Sequence, residues 1–111
     1  MAYDAELADR LRRLVEGAPA LSERRMFGGL AFLVHGNMAV AASGEGGLLV
    51  RVDPEQSAEL LASSPATPME MRGRSLTGWL RVASEDVVAD SELASWVGRG
   101  ISYARSLPPK R

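Results

Sequence analysis

The sequence predicts an α+β fold: a two-layer α/β sandwich in the order α-β(3)-α-β(2)-α, with a largely antiparallel five-stranded sheet carrying its helices on one face. Three observations carry that expectation. Apolar residues recur at helical spacing near both ends of the chain and once in the middle. Between these segments lie five short apolar or alternating runs of strand length. Neighbouring runs are joined by glycine-containing turns too short for parallel crossovers, so hairpins are expected. Strands with interspersed helices of this kind bury their apolar surfaces as two packed layers.

The first helix is predicted over "YDAELADRLRRLVEG", where Leu7, Leu11, Leu14 and Val15 share a stripe. Asp4 can cap its start, Gly17 can end it, and Pro19 lies just beyond. Arg10, Arg12 and Arg13 fall off the stripe and read as a solvated face. "GLAFLVHG" predicts the first strand, and "HGN" the turn after it, with Gly36 taking positive φ and Asn37 tolerating it. "MAVAAS" and "LLVRVD" supply the next two strands around "GEGG". "DPEQSAELLASS" predicts the second helix, with Asp53 as N-cap, Pro54 in the first helical position and Glu55 in the positive first turn. "PATP" ends it, and "MEMRGRSLTGWLRVA" reads as two strands around "RGRS". Ser91 is expected to cap a last helix whose inner face holds Leu93, Trp96, Val97, Ile101 and Ala104. Gly98 and Gly100 weaken that helix by about 1 kcal/mol each relative to alanine, a cost usually met where something packs close.

A chain of 111 residues predicts one domain over residues 1–111, with residues 1–3 and 108–111 frayed. The absence of cysteine excludes disulfides, thiolate metal sites and a cysteine nucleophile, and fits the reducing cytoplasm, the expected location. The charged amino terminus has no apolar signal core. The longest uncharged run, from Met26 to Gly44, is broken by glycines, His35 and Asn37, so no membrane span is expected. A formal net charge of −1 gives no global pull toward nucleic acid.

Few residues form a chemical constellation. In "RRMFGG" a phosphate cradle would need a strand before the glycines and a helix after them, whereas an apolar strand follows. Met26 and Phe27 are therefore expected to anchor the chain's entry to the core, and Gly28 and Gly29 to allow a bulge or a close backbone approach. His35 is the sole histidine and lacks a second ligand at metal spacing, so no metal site is expected. No nucleophile, base and orienting group can be nominated, so no catalytic residue is predicted. Glu85 and Asp86 read as solvated acids in a connection.

Strand parity is more informative. Leu76, Gly78, Leu80 and Val82 are expected to point one way, and Trp79 and Arg81 the other. Leu48, Val50 and Val52 likewise oppose Leu49 and Arg51, while both faces of the first strand are apolar. If all helices cover one side, the other exposes Leu33, Leu49 and Trp79, with Arg51 and Arg81 at the rim: a candidate partner or dimer face. Two-fold pairing through Trp79 would give a homodimer. The competing expectation folds "SLPPKR" over Trp79 in a monomer. Arg24, Arg25, Arg72 and Arg74 form a candidate basic patch, although surface salt bridging is the commoner role of such arginines.

These residues resemble a family. "RRMFGGLAFLVHGNMAV" is similar to the amino-terminal domain of the TfoX/Sxy competence regulators, through Arg25, Met26, Phe27, Gly28, Gly29, Gly36 and Met38. "GGLLVRVD", "GRSLTGWLRV" and "LASWVGRGISYARSLPPK" resemble later parts of stand-alone members. The resemblance implies the same α-β(3)-α-β(2)-α sandwich, similar to secretion-chaperone-like folds. It also implies a regulatory association, since full-length relatives promote competence-gene transcription alongside the cyclic-AMP receptor protein. The helical carboxy-terminal domain of those relatives is not expected here, and Ala39 stands where phenylalanine is usual. The family offers no catalytic residue or cofactor to carry over. The expected function is a non-enzymatic regulatory or adaptor domain acting through contacts with an unidentified protein. One alternative is a small-molecule or anion-binding domain, or small enzyme, with a pocket near Arg24, Arg25, Arg72 and Trp79. Direct DNA binding, falling steeply with salt, is a weaker alternative.

Overall fold

The computed structural model describes residues 3–26 and 28–109. Three helices, α1 (Ala5–Val15), α2 (Ser57–Ser63) and α3 (Asp90–Ser106), accompany six strands: β1 (Leu21–Met26), β2 (Gly29–Val34), β3 (Asn37–Ala42), β4 (Leu48–Arg51), β5 (Thr67–Met71) and β6 (Arg74–Val82). They form one antiparallel sheet in the order β1-β2-β3-β4-β6-β5. The predicted α+β class holds, with one strand more than expected. The additional strand is β1, "LSERRM", which carries consecutive charges and no apolar alternation. It is an edge strand whose two ends, Leu21 and Met26, pack on the apolar clusters while Ser22 to Arg25 are exposed, and charge is tolerated there.

Local chemistry fixes the ends of the elements. The Asp4 carboxylate accepts hydrogen bonds from the Glu6 and Leu7 N–H groups at 3.0 and 3.1 Å. Asp53 accepts from the Glu55 N–H at 2.9 Å and opens a short 3₁₀ turn, Pro54–Gln56, that leads into α2. Helix α3 starts one residue before Ser91: Ala89 is its N-cap and makes no side-chain bond, so Ser91 lies in the first turn. Leu14 leaves the predicted stripe and is exposed, while Leu7, Ala8, Leu11 and Val15 are buried. Two hairpins turn on paired positive φ angles, at His35 (51°) and Gly36 (80°) and at Arg72 (55°) and Gly73 (77°). Both suit the right-handed twist of the flanking strands. The turn residue is therefore His35 rather than Asn37; Asn37 begins β3, is buried, and donates through Nδ2 to the Pro108 carbonyl at 2.9 Å.

The core lies between the sheet and the helices. Leu30, Phe32, Val40, Val50, Leu80 and Val82 of the sheet meet Leu7, Leu11, Leu93, Trp96 and Val97 of the helices. A bulge between Phe32 and Leu33 places Ala39 beneath α3. A Cβ at Gly100 would collide with the Ala39 carbonyl oxygen, so this glycine lets the helix rest on strand backbone. Gly98, by contrast, faces open space.

Candidate functional site

"RRMFGG" joins two antiparallel strands. Met26 pairs with Gly29 across a two-residue connection, with β1 before it and β2 after. The anchoring role expected of Phe27 lies outside the described residues. A Cβ at Gly29 would meet the Ala42 carbonyl oxygen at 2.5 Å and the Gly44 nitrogen at 3.0 Å, so this glycine does serve a close backbone approach.

The arginines of that segment point apart. Arg24 is opposite Ala31 and shares the helix-free face; Arg25 is opposite Leu30 and shares the helix side. Arg72 sits in the β5–β6 turn and Arg74 begins β6, at the other end of the strand order. The sequence-predicted set Arg24, Arg25, Arg72 and Arg74 is thus divided between two edges. On α1, Arg12 holds Glu23 of β1 through two hydrogen bonds, of 2.8 and 3.1 Å, and also pairs with Asp9. The Arg12 bond holds the Glu23 carboxyl below its ordinary range, and Glu23 in turn raises the pKa of Arg12. Arg10 pairs with Asp90 at 3.0 Å.

The helix-free face forms a second, smaller apolar cluster. Ala31, Leu33, Met38 and Ala41 are buried there, with Met26, Leu49 and Trp79 packed on them. The expected exposed trio is corrected in one member: Leu33 is only 6% exposed, while Leu49 and Trp79 are half-buried. The face is also concave rather than flat. A trough of about 240 Å³ is lined by Met26, Met38, Met69, Met71, Leu76 and Trp79, among others.

Leu76 is the further correction, because parity puts it on the helix side. Between the Pro68–Leu80 and Glu70–Ser75 pairs, Met69 alone faces Leu76, Thr77, Gly78 and Trp79. Gly78 takes a φ of 88° within this bulge, with its N–H donated to the buried Ser57 hydroxyl at 3.3 Å. The irregularity breaks the two-residue period, so Leu76 lines the same trough as Trp79. Sequence reasoning missed Met69 and Met71 as site residues. The signal was present in "MEMRGR": two methionines at strand spacing before a two-residue Arg-Gly turn.

Both rim arginines have internal partners. The Arg51 Cζ lies 5.0 Å from the Trp79 ring centroid and 5.5 Å from that of Tyr103. Arg81 pairs with Glu45 at 3.4 Å. Arg51 is thus stacked on Trp79, while the expected cover by "SLPPKR" falls in part on Lys110 and Arg111, outside the described residues. Arg24, Arg25 and Arg72 are not among the residues lining the trough. Among the described residues, no three His, Asp or Glu side chains converge as metal ligands would, and no helix is long and apolar enough to cross a membrane.

The family model of the TfoX N-terminal domain matches residues 13–104. No curated protein matches the sequence. The match spans most of the chain, including every strand, and the chain belongs to the TfoX N-terminal domain family. That membership supports a regulatory type of domain.

Proposed function

We propose that this TfoX N-terminal domain is a non-enzymatic regulatory or adaptor module that acts by protein contact through its helix-free face. The observation that carries the reading is the trough itself: a contiguous apolar concavity with no helix over it, walled by four methionines and a half-buried tryptophan. Apolar surface of this kind usually marks an interaction site. Methionine suits it, because an unbranched thioether repacks readily against different partners.

The test is a crosslinked pull-down comparing the unmodified protein with Met71→Glu. Met71 is 40% exposed, so the substitution leaves the core untouched. The expected result is a specific partner recovered by the unmodified chain and lost with the variant. Identical recovery by both would refute the face as the contact surface.

A further inference from the structure

We infer that the trough takes an acidic, apolar-anchored peptide segment of a partner protein, with leucine or phenylalanine side chains inserted and carboxylates held at the rim. This rests on the reading of the helix-free face as the contact surface and names the chemistry of what fits it. The argument is charge complementarity. Directly opposed residues of antiparallel strands share a face. Arg24 opposes Ala31, Arg74 opposes Met71, Arg51 opposes Trp79 and Arg81 opposes Leu49, and each of those opposed residues lines the trough or packs in its cluster. Arg81, the arginine that itself lines the trough, is paired with Glu45, and Arg51 is stacked between Trp79 and Tyr103, which leaves Arg24 and Arg74 flanking the lining residues near the two ends of the strand order.

The acids do not answer them. Glu45 lines the trough but is paired with Arg81. Glu23 opposes Phe32 on the helix side and is held by Arg12. Glu70 opposes Ser75, out of step with Met71 and Arg74. Among the described residues, no carboxylate pairs with Arg24, Arg51 or Arg74. An apolar floor flanked by the guanidinium groups of Arg24 and Arg74, neither of them in an ion pair among the described residues, selects a segment with the opposite pattern. The same two charges disfavour a second copy of this chain, since two-fold pairing would bring the Arg24 and Arg74 side chains of both copies to one interface.

The experiment uses fluorescence anisotropy on the full chain with a fluorescein-labelled peptide carrying a Leu-Phe-Leu anchor flanked by glutamates. A twin peptide carries lysines in place of the glutamates. The glutamate peptide is expected to bind and the lysine twin to fail. The double variant Arg24→Glu, Arg74→Glu should weaken binding on the order of tenfold at low salt, less as salt rises. Met71→Glu should weaken it as well, with circular dichroism unchanged in both variants. Equal binding of the two peptides overturns the acidic assignment while leaving the contact face standing. Binding unaffected by the rim variant overturns it too. If neither peptide binds, the inference fails, and the pull-down with Met71→Glu tells whether the face fails with it. A dimer in sedimentation that Met71→Glu dissociates gives the trough to a second copy and overturns the proposal, as does binding of laurate without binding of the glutamate peptide.

Discussion

The two faces of this sheet are made from the same strands and are packed to different standards. Toward the helices, Phe32, Val40, Val50, Leu80 and Val82 meet Leu11, Leu93 and Trp96, all nearly inaccessible. These residues are aromatic, branched and closely fitted. Away from the helices the strands offer alanines and methionines, with Leu49 and Trp79 half-buried beside a trough of about 240 Å³. The described chain places its four methionines, Met26, Met38, Met69 and Met71, on this second side and none in the main core. A face that must define one structure uses stiff, well-fitted side chains. A face left without a helix uses compliant ones.

The two tryptophans test that contrast most sharply. Trp96 is 4% exposed in the main core, so Trp96→Ala should cost about 3–5 kcal/mol in urea unfolding. Trp79 is half-buried against Arg51, so Trp79→Ala should cost only about 1–2 kcal/mol, from lost area and the cation–π contact. Equal losses would break the comparison. Between these values falls Gly100→Ala, where an added methyl meets the Ala39 carbonyl oxygen and forces α3 off the sheet. We expect about 1–3 kcal/mol there, with no comparable effect of the same change at Gly98 beyond a gain in helix propensity.

The smallest effect belongs to the edge. Glu23 has a depressed pKa in the folded protein, so its contribution is present above its unfolded pKa of about 4.3 and is lost as pH falls through the folded value. Arg12→Met should therefore lower the melting temperature slightly at neutral pH, with the difference closing in acid and shrinking in salt. Thermal melts of the two proteins across that pH range check it. A gap that persists in acid would mean that Arg12 acts through packing of its stem instead.

Much of this was legible from residue chemistry. The helices, the caps at Asp4 and Asp53, and the inward side of Leu48, Val50, Leu80 and Val82 follow from periodicity, parity and turn residues, whereas β2 and β3 are apolar on both faces and parity cannot choose between them. Strand β1 was hidden because an edge strand needs no apolar alternation; only the Phe-Gly connection hints at a hairpin. The orientation of Leu76 was hidden because the bulge at Gly78 arises from docking against Val52, Pro54 and Ser57, residues distant in sequence. The helix-free site was read in outline through Leu49 and Trp79, but its depth depends on the bent β5–β6 hairpin, which parity cannot describe.

The methionine lining also makes the two faces unequal toward oxidants. A thioether oxidised to its sulfoxide turns from an apolar, flexible group into a polar, chiral one. Met71 is open to solvent and Met38 is nearly closed to it, so peroxide should reach the trough from its outer wall inward. The helix-side core, with no sulfur among its described residues, is indifferent to that chemistry. Oxidation would thus wet the trough while the domain stays folded, and methionine sulfoxide reductases could restore it.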